Sequence, residues 1–267
     1  MNKNSSLPVV VNINPRSIYG KISELKIFIE QMGVDLAFLS ETWEREYLPL
    51  DKIFKMDRFK ILSNVHQRKE RGGRPAIIVN SKKFTVQNLT NTQIQVKWGV
   101  EAVWCLLTPK NNKPNQTVQH IACASVYVKP NSKKKSEFYD PVYEAYHYLS
   151  SKFPKGLHFI IAGDTNDLDL DPILSLSPKL VQVVQEPTRI DINTGKESLL
   201  DTITTTLSSS YQEPKCIDPL DVDNVSVGKK SDHKIVFMEP INGSNQKSAR
   251  VQKVVKVRPI TKKGLEK

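Results

Sequence analysis

The sequence predicts an α/β fold, a four-layered α/β sandwich in which two packed mixed β-sheets are flanked by helices. Three observations carry this. The N-terminus reads strand, helix, strand; from about residue 59 to 128 the helical period disappears and short apolar runs succeed one another; and a second helix followed by a covered strand ends near residue 164. Strands outnumber helices, and two packed sheets with helices outside them can bury such a set.

Residues 7–14 (LPVVVNIN) form an apolar, β-branched run that ends at Asn14. Ile22, Leu25, Ile29 and Met32 then fall on one face of a helix that Gly33 is placed to end. Asp35 to Glu41 is a nearly continuous apolar run, as suits a strand covered on both faces, so the unit is βαβ with parallel strands. Strands are expected next at 59–62, 75–79, 84–88, 100–107 and 119–128, separated by polar turns. Lys133 to Lys155 returns to helix, with Phe138, Val142, Ala145 and Leu149 on one face, and Leu157 to Ala162 is a covered strand ending at Gly163-Asp164. Further strands are expected at 180–184, 199–205 and 233–238. Past Pro240 the chain turns rich in Asn, Ser, Lys and Gln, which puts a boundary near 240 between one domain (1–240) and a basic tail (241–267).

A chain of 267 residues lies near the upper limit of about 250–300 for a single core. Its 39% hydrophobic and 25% charged content is ordinary for a soluble protein, and no run approaches the ~18 apolar residues of a membrane span. The start does not resemble a signal peptide, so an intracellular location is expected. Cys105, Cys123 and Cys216 have no CxxC spacing, and the first two sit in strand-like runs, which suits reduced core thiols. Of the net charge of +11, residues 241–267 carry +7 and the body only +4. A polyanionic partner fits both parts, while a solvated linker accounts for the tail equally well.

Five short polar motifs stand at the ends of apolar runs: Asn14-Pro15-Arg16-Ser17, Ser40-Glu41-Thr42-Trp43, Gly163-Asp164-Thr165-Asn166, Leu200-Asp201 and Ser231-Asp232-His233. Any one alone is most often a turn. Their coincidence at strand ends points to one site assembled from distant segments. Hard oxygen ligands, a water-orienting group and a histidine together suit metal-assisted phosphoester hydrolysis. Glu41 is the first choice of metal ligand, against an ion pair with Arg45. Asp164 would accept a proton from the attacking water and Asn166 would donate to an oxygen of the phosphate or nucleophile. His233 fits a base or transition-state donor, with Asp201 fixing its tautomer. His66, His120, His147 and His158 read as ordinary surface or core residues. A loop bearing Arg68, Lys69, Arg71 and Arg74 can grip DNA phosphates or simply be solvated. The acidic run from Asp164 to Asp171 is not an EF-hand, because Asp169 and Ser175 stand where Gly and Glu are needed. Gly228-Lys229-Lys230-Ser231 is not a Walker loop, since position 223 is Asp.

In NPRS with the following KISEL, LSETW, Arg71-Gly72-Gly73, Tyr127-Val128-Lys129-Pro130, GDTN, Pro187-Thr188-Arg189, LLDTITT and SDH, residues 7–240 resemble the endonuclease/exonuclease/phosphatase superfamily. Within it they look like the apurinic-endonuclease-like domain of non-LTR (LINE-type) retrotransposons. The resemblance implies that Asn14 and Glu41 bind the metal region, with Mg2+ or alternatively Mn2+ as cofactor. It implies that Asp164 and Asn166 align the nucleophile, that His233, supported by Asp201, contacts the phosphate, and that Tyr127 lies beside the scissile phosphate. Asp232 would assist at the metal or orient its neighbours, and Thr188, Arg189 and Ser231 would contribute to the DNA-facing rim; Arg16, Arg71 and Arg74 are further candidates for DNA contact on their charge. Arg74-Pro75 departs from the small or β-branched residues expected after the glycines. The implied function is a metal-dependent DNA endonuclease that nicks one strand of double-stranded DNA, leaving a 3′-hydroxyl that primes reverse transcription. The tail would lead to a reverse transcriptase in a longer polyprotein, acting in the nucleus, with no membrane partner. Two alternatives stay open: a phosphomonoesterase or phospholipase of the same fold acting on inositol phosphates or lipids, and a catalytically inactive DNA-binding module.

Overall fold

Alternation of side chains along the central strands sorts the apolar residues into layers. The computed structural model describes residues 7–63, 72–89, 100–111, 119–131, 136–221 and 230–241; Arg68, Lys69, Arg71 and the basic tail from 242 onward lie outside the described residues. In chain order the elements are β1 (Val10–Ile13), α1 (Ile22–Gln31), β2 (Leu36–Leu39), α2 (Leu50–Ile53), β3 (Phe59–Ser63), β4 (Ala76–Asn80), β5 (Phe84–Asn88), β6 (Val100–Pro109) and β7 (His120–Val128). There follow α3 (Ser136–Lys152), β8 (Leu157–Asp164), α4 (Asp171–Leu174), β9 (Val181–Gln182), β10 (Arg189–Ile190), β11 (Glu197–Ser198), β12 (Asp201–Thr205), β13 (Lys215–Ile217) and β14 (Ile235–Met238).

Two six-stranded sheets form, in the orders β13-β14-β1-β2-β4-β3 and β5-β6-β7-β8-β12-β9, with β10 and β11 as a separate hairpin. β1–β2 and β7–β8 run parallel, each joined through a helix, and antiparallel pairs complete both sheets, so both are mixed. Val10, Leu36 and Phe38 of the first sheet meet Val103, Cys105, Cys123, Ile160 and Ile203 of the second in the central core. The alternate residues turn outward: Val11, Ile13, Ala37 and Leu39 pack with Leu25 and Ile29 of α1. Ala122, Ala124 and Val126 pack with Phe138, Val142, Ala145 and Leu149 of α3. Helix, sheet, sheet and helix are the four layers expected from the sequence. Cys105 and Cys123 are buried free thiols.

Met32 departs from its expected place on the buried face, because α1 ends at Gln31 and leaves Met32 38% exposed. The strand expected at 180–184 shrinks to Val181–Gln182, which pairs only with the last residues of β12. No helix among the described residues is long and apolar enough to cross a membrane.

Two polar contacts tie the sheets face to face. Asn12, fully buried on the inner face of β1, donates through Nδ2 to the carbonyls of Gly163 and Thr202 at 3.3 Å each. Ser125 Oγ of β7 donates to the Leu39 carbonyl at 3.0 Å. Gly163 has φ +152°, and a Cβ there would overlap the carbonyl of its β7 partner Val126. Asn12→Ala should lower unfolding stability by roughly 1–3 kcal/mol, because two buried carbonyls lose a donor. Gly163→Ala should lower it further, because the β7–β8 pairing must shift; urea denaturation measures both.

Candidate active site

Where the inner core face reaches the strand ends, the same alternation continues but the residues become polar. Across the second sheet, Glu101 of β6 pairs with Tyr127 of β7, Tyr127 with Asp164 of β8, and Asp164 with Asp201 of β12. One polar row therefore crosses four strands. The first sheet meets it with Asn14, just beyond β1, and Glu41, just beyond β2.

Asn14 joins the two sheets. Its Nδ2 donates to Glu41 Oε1 at 3.1 Å and to Asp164 Oδ2 at 2.8 Å, while its Oδ1 accepts the Arg16 N–H at 3.0 Å. Glu41 Oε2 accepts the Trp43 indole N–H at 2.8 Å. Asp164 Oδ1 accepts the Asn166 N–H at 3.1 Å, and the Asn166 side-chain amide donates to the Val128 carbonyl at 2.7 Å. The sharp turns that deliver these groups are strained. Arg16, Ser17, Trp43, Arg74 and Asn166 are five of the six non-glycine residues with positive φ among the described residues. Such conformations cost on the order of 1–3 kcal/mol each and persist only where surrounding contacts fix them.

His233 and Asp201 are both buried, with Nδ1 and Oδ2 at 2.7 Å. Burial alone would depress the imidazolium, but the charge and hydrogen bond of Asp201, with Asp164 and Asp232 behind them, lift it to about 9. Burial pushes the Asp164 carboxyl up to about 8, reinforced by Asp201 and Glu41 and opposed by His233 and the Asn166 N–H. Burial pulls Asp232 upward as well, yet donation from Arg189 and Arg16 leaves it below the usual carboxylate range.

Several expected rim residues are internal supports. Thr188 is fully buried, and its Oγ1 accepts the Leu200 and Asp201 N–H groups at 3.1 and 2.9 Å, fixing the start of β12. Ser231, 6% exposed, donates to the Asn14 carbonyl at 2.7 Å and accepts the His233 N–H at 3.1 Å. Both hydroxyls bond to backbone atoms of the neighbouring loops. Arg74 turns inward: its guanidinium donates to the Glu44 carbonyl and its N–H to Glu101. Asp232, expected at the metal, has each oxygen on a guanidinium, Arg16 Nη1 and Arg189 Nε, both at 2.8 Å. Arg16 remains 45% exposed and Arg189 33% exposed, so both face outward beside the site. Tyr127 lies under Gly72 at the end of β7, close to Glu41.

Sequence reasoning passed over Glu101 and Lys21. Lys21 is fully buried, and its Nζ donates to the carbonyls of Pro15, Arg16 and Ser17 at 2.8, 3.4 and 3.0 Å, clamping the strained turn after Asn14. Nothing in a lone lysine before a helix signals this.

No family model and no curated protein matches the sequence. Solved structures do. The endonuclease domain of TRAS1, a telomere-specific non-LTR retrotransposon, superposes with a TM-score of 0.58 at 16% identity, over 89% of this chain and 100% of that one. The mannosyl-6-phosphatase Bt3783 of Bacteroides thetaiotaomicron gives 0.60 at 16% identity, over 88% and 100%. An endonuclease/exonuclease/phosphatase family protein of Leptotrichia buccalis gives 0.52 at 14% identity, over 88% and 100%. The fold is the endonuclease/exonuclease/phosphatase fold. In it the conserved geometry is that of the layers, and the chemistry of this chain must be read from its own side chains.

A divalent cation fits the donor set. Glu41 offers a half-buried carboxylate whose oxygens each accept one neutral hydrogen bond, which leaves lone pairs on both for a hard cation. Asp164, Asp201 and His233 also bring ligand atoms within 4.8 Å of one another. There, however, His233 Nδ1 is given to Asp201 and the imidazole is held as a cation, so that trio suits a cation less well than Glu41 does. Asp201→Asn should lower the His233 pKa from about 9 by roughly 1–3 units, because burial then acts with less opposition. NMR titration of the His233 ring in metal-free protein reads this shift.

Proposed function

We propose that this protein is a Mg2+-dependent DNA endonuclease, with Mn2+ as an alternative ion, that nicks one strand of double-stranded DNA by phosphodiester hydrolysis. The observation that carries this reading is the convergence of Glu41 and Asn14 from one sheet with Asp164 and the Asp201–His233 pair from the other. The TRAS1 endonuclease domain, matched over its whole length, supports a retrotransposon setting. In that setting the 3′-hydroxyl released at the nick primes reverse transcription in the nucleus. The domain would end near residue 240, and the basic tail would lead on to a reverse transcriptase.

Glu41, oriented by Asn14 and Trp43, would hold the cation, which when bound supplies Lewis-acid polarisation of the phosphate. Asp164 accepts a proton from water as the new O–P bond forms. Asn166, fixed by the Val128 carbonyl, steadies the nucleophile. The His233 imidazolium donates to a phosphate oxygen that gains charge, and Asp201 keeps it protonated and correctly turned. The P–O3′ bond breaks, and the departing oxygen takes up a proton from solvent to become the 3′-hydroxyl. Tyr127 flanks the phosphate, and Arg16 and Arg189 face the strand beyond it. The exposed guanidinium groups of Arg16 and Arg189 beside the site suit an extended phosphate backbone.

Supercoiled plasmid should be converted to open circle with Mg2+ and remain intact with chelator, while inositol phosphates are turned over poorly. Asp164→Asn and His233→Ala should each cut the rate about 10²–10⁴-fold. With Mg2+ bound, Asp164 should ionise below its metal-free value of about 8, and the nicking rate measured across pH should fall as His233 deprotonates around 9. Absence of nicking, or nicking undiminished in His233→Ala, overturns the proposal.

A further inference from the structure

Trp43 is a bulky aromatic held at φ +53°, a region such residues seldom occupy. Three contacts pin the turn around it. Thr42 Oγ1 donates to the Arg74 carbonyl at 2.5 Å, the Trp43 N–H approaches the Gly73 carbonyl at 3.4 Å, and the buried Glu44 carboxylate accepts the Leu50 N–H at 2.5 Å. The conformation has one clear consequence. It folds the indole back so that Nε1–H donates to Glu41 Oε2 at 2.8 Å, while Asn14 holds the other oxygen at 3.1 Å.

We infer that Trp43 is a positioning residue for divalent-cation binding, whose indole N–H fixes the Glu41 carboxylate in its receptive orientation. This rests on the reading of Glu41 as the metal ligand. Two donors, one on each oxygen, stop rotation of the carboxylate about its last torsion, so a cation meets a preset group rather than ordering a free one. Both donors are neutral. A lysine or arginine at the same oxygen would orient Glu41 equally well but would place a positive charge against the incoming ion; an indole avoids that repulsion.

Calorimetric titration of Mg2+ into the full chain without DNA tests the inference independently of turnover. Trp43→Phe keeps an aromatic ring and removes the N–H, and should weaken Mg2+ about 10–100-fold with thermal unfolding little changed. Trp43→His returns a ring N–H and should regain part of that loss. Wild-type affinity in Trp43→Phe overturns the inference. If Trp43→Phe melts early, Trp43→His decides: recovered affinity supports the role, and affinity as weak as that of Trp43→Phe overturns it. Glu41→Gln separates the two readings. Undiminished Mg2+ binding there removes the metal assignment of Glu41 and the Trp43 role with it, whereas loss in Glu41→Gln without loss in Trp43→Phe removes the Trp43 role alone.

Discussion

The two hydrogens of the Asn14 amide go to carboxylates from different sheets, Glu41 on one side and Asp164 on the other. Everything at the site depends on this bridge, because Glu41 follows a strand of the first sheet and Asp164 ends a strand of the second. A neutral donor between the half-buried Glu41 and the buried Asp164 eases their repulsion without cancelling the charge that a cation needs. Two residues earlier on the same face, Asn12 grips the carbonyls of Gly163 and Thr202, so the sheets are locked together one step before the acids begin. Packing of the core and geometry of the site are therefore one constraint. A slip of the sheets that separated Asn12 from Gly163 would also part Asn14 from Asp164.

The turns that carry the site are held by buried side chains bonded to backbone. Lys21, Thr188 and Ser231 are all buried and bond to backbone atoms of the loops bearing Arg16, Asp201 and His233. This fits the concentration of positive φ values at Arg16, Ser17, Trp43, Arg74 and Asn166. Strained backbone survives where neighbouring contacts over-determine it, and here those contacts are hydrogen bonds from interior side chains.

The layers were legible because the strands are long enough for period-two alternation to show, as in β7, where Ile121 and Cys123 face the central core and Ala122 and Ala124 face α3. The hairpin of β10 and β11 was not, since strands of two residues have no period to detect. Legibility at the site followed the same divide. Asn14, Glu41 and Asp164 stand where apolar runs end and Asp201 and His233 where strands begin, and these run ends converge as the motifs suggested. Thr188, Ser231 and Arg74 face inward because their directions are set by turns, and a local sequence does not encode which way a turn residue points once tertiary contacts compete for its hydroxyl or guanidinium. Lys21 inverts the usual exposure of lysine for the same reason: three carbonyls at a tight turn satisfy its ammonium better than a passing solvent shell could there.

Charge completes the argument. Four carboxylates, Glu41, Asp164, Asp201 and Asp232, meet three cationic groups, Arg16, Arg189 and His233. Two of the cations are committed to Asp232 and the third to Asp201, so Glu41 and Asp164 face each other through Asn14 with no cation of their own among these partners. Burial resolves the excess by raising Asp164 to about 8, so that at neutral pH it carries a proton for much of the time. On the proposed function, a dication beside Glu41 would supply the missing positive charge and favour loss of that proton, which would ready Asp164 to act as the base. Metal binding and the protonation of Asp164 would on that reading be linked through the same low-dielectric pocket that holds Asp201 against His233.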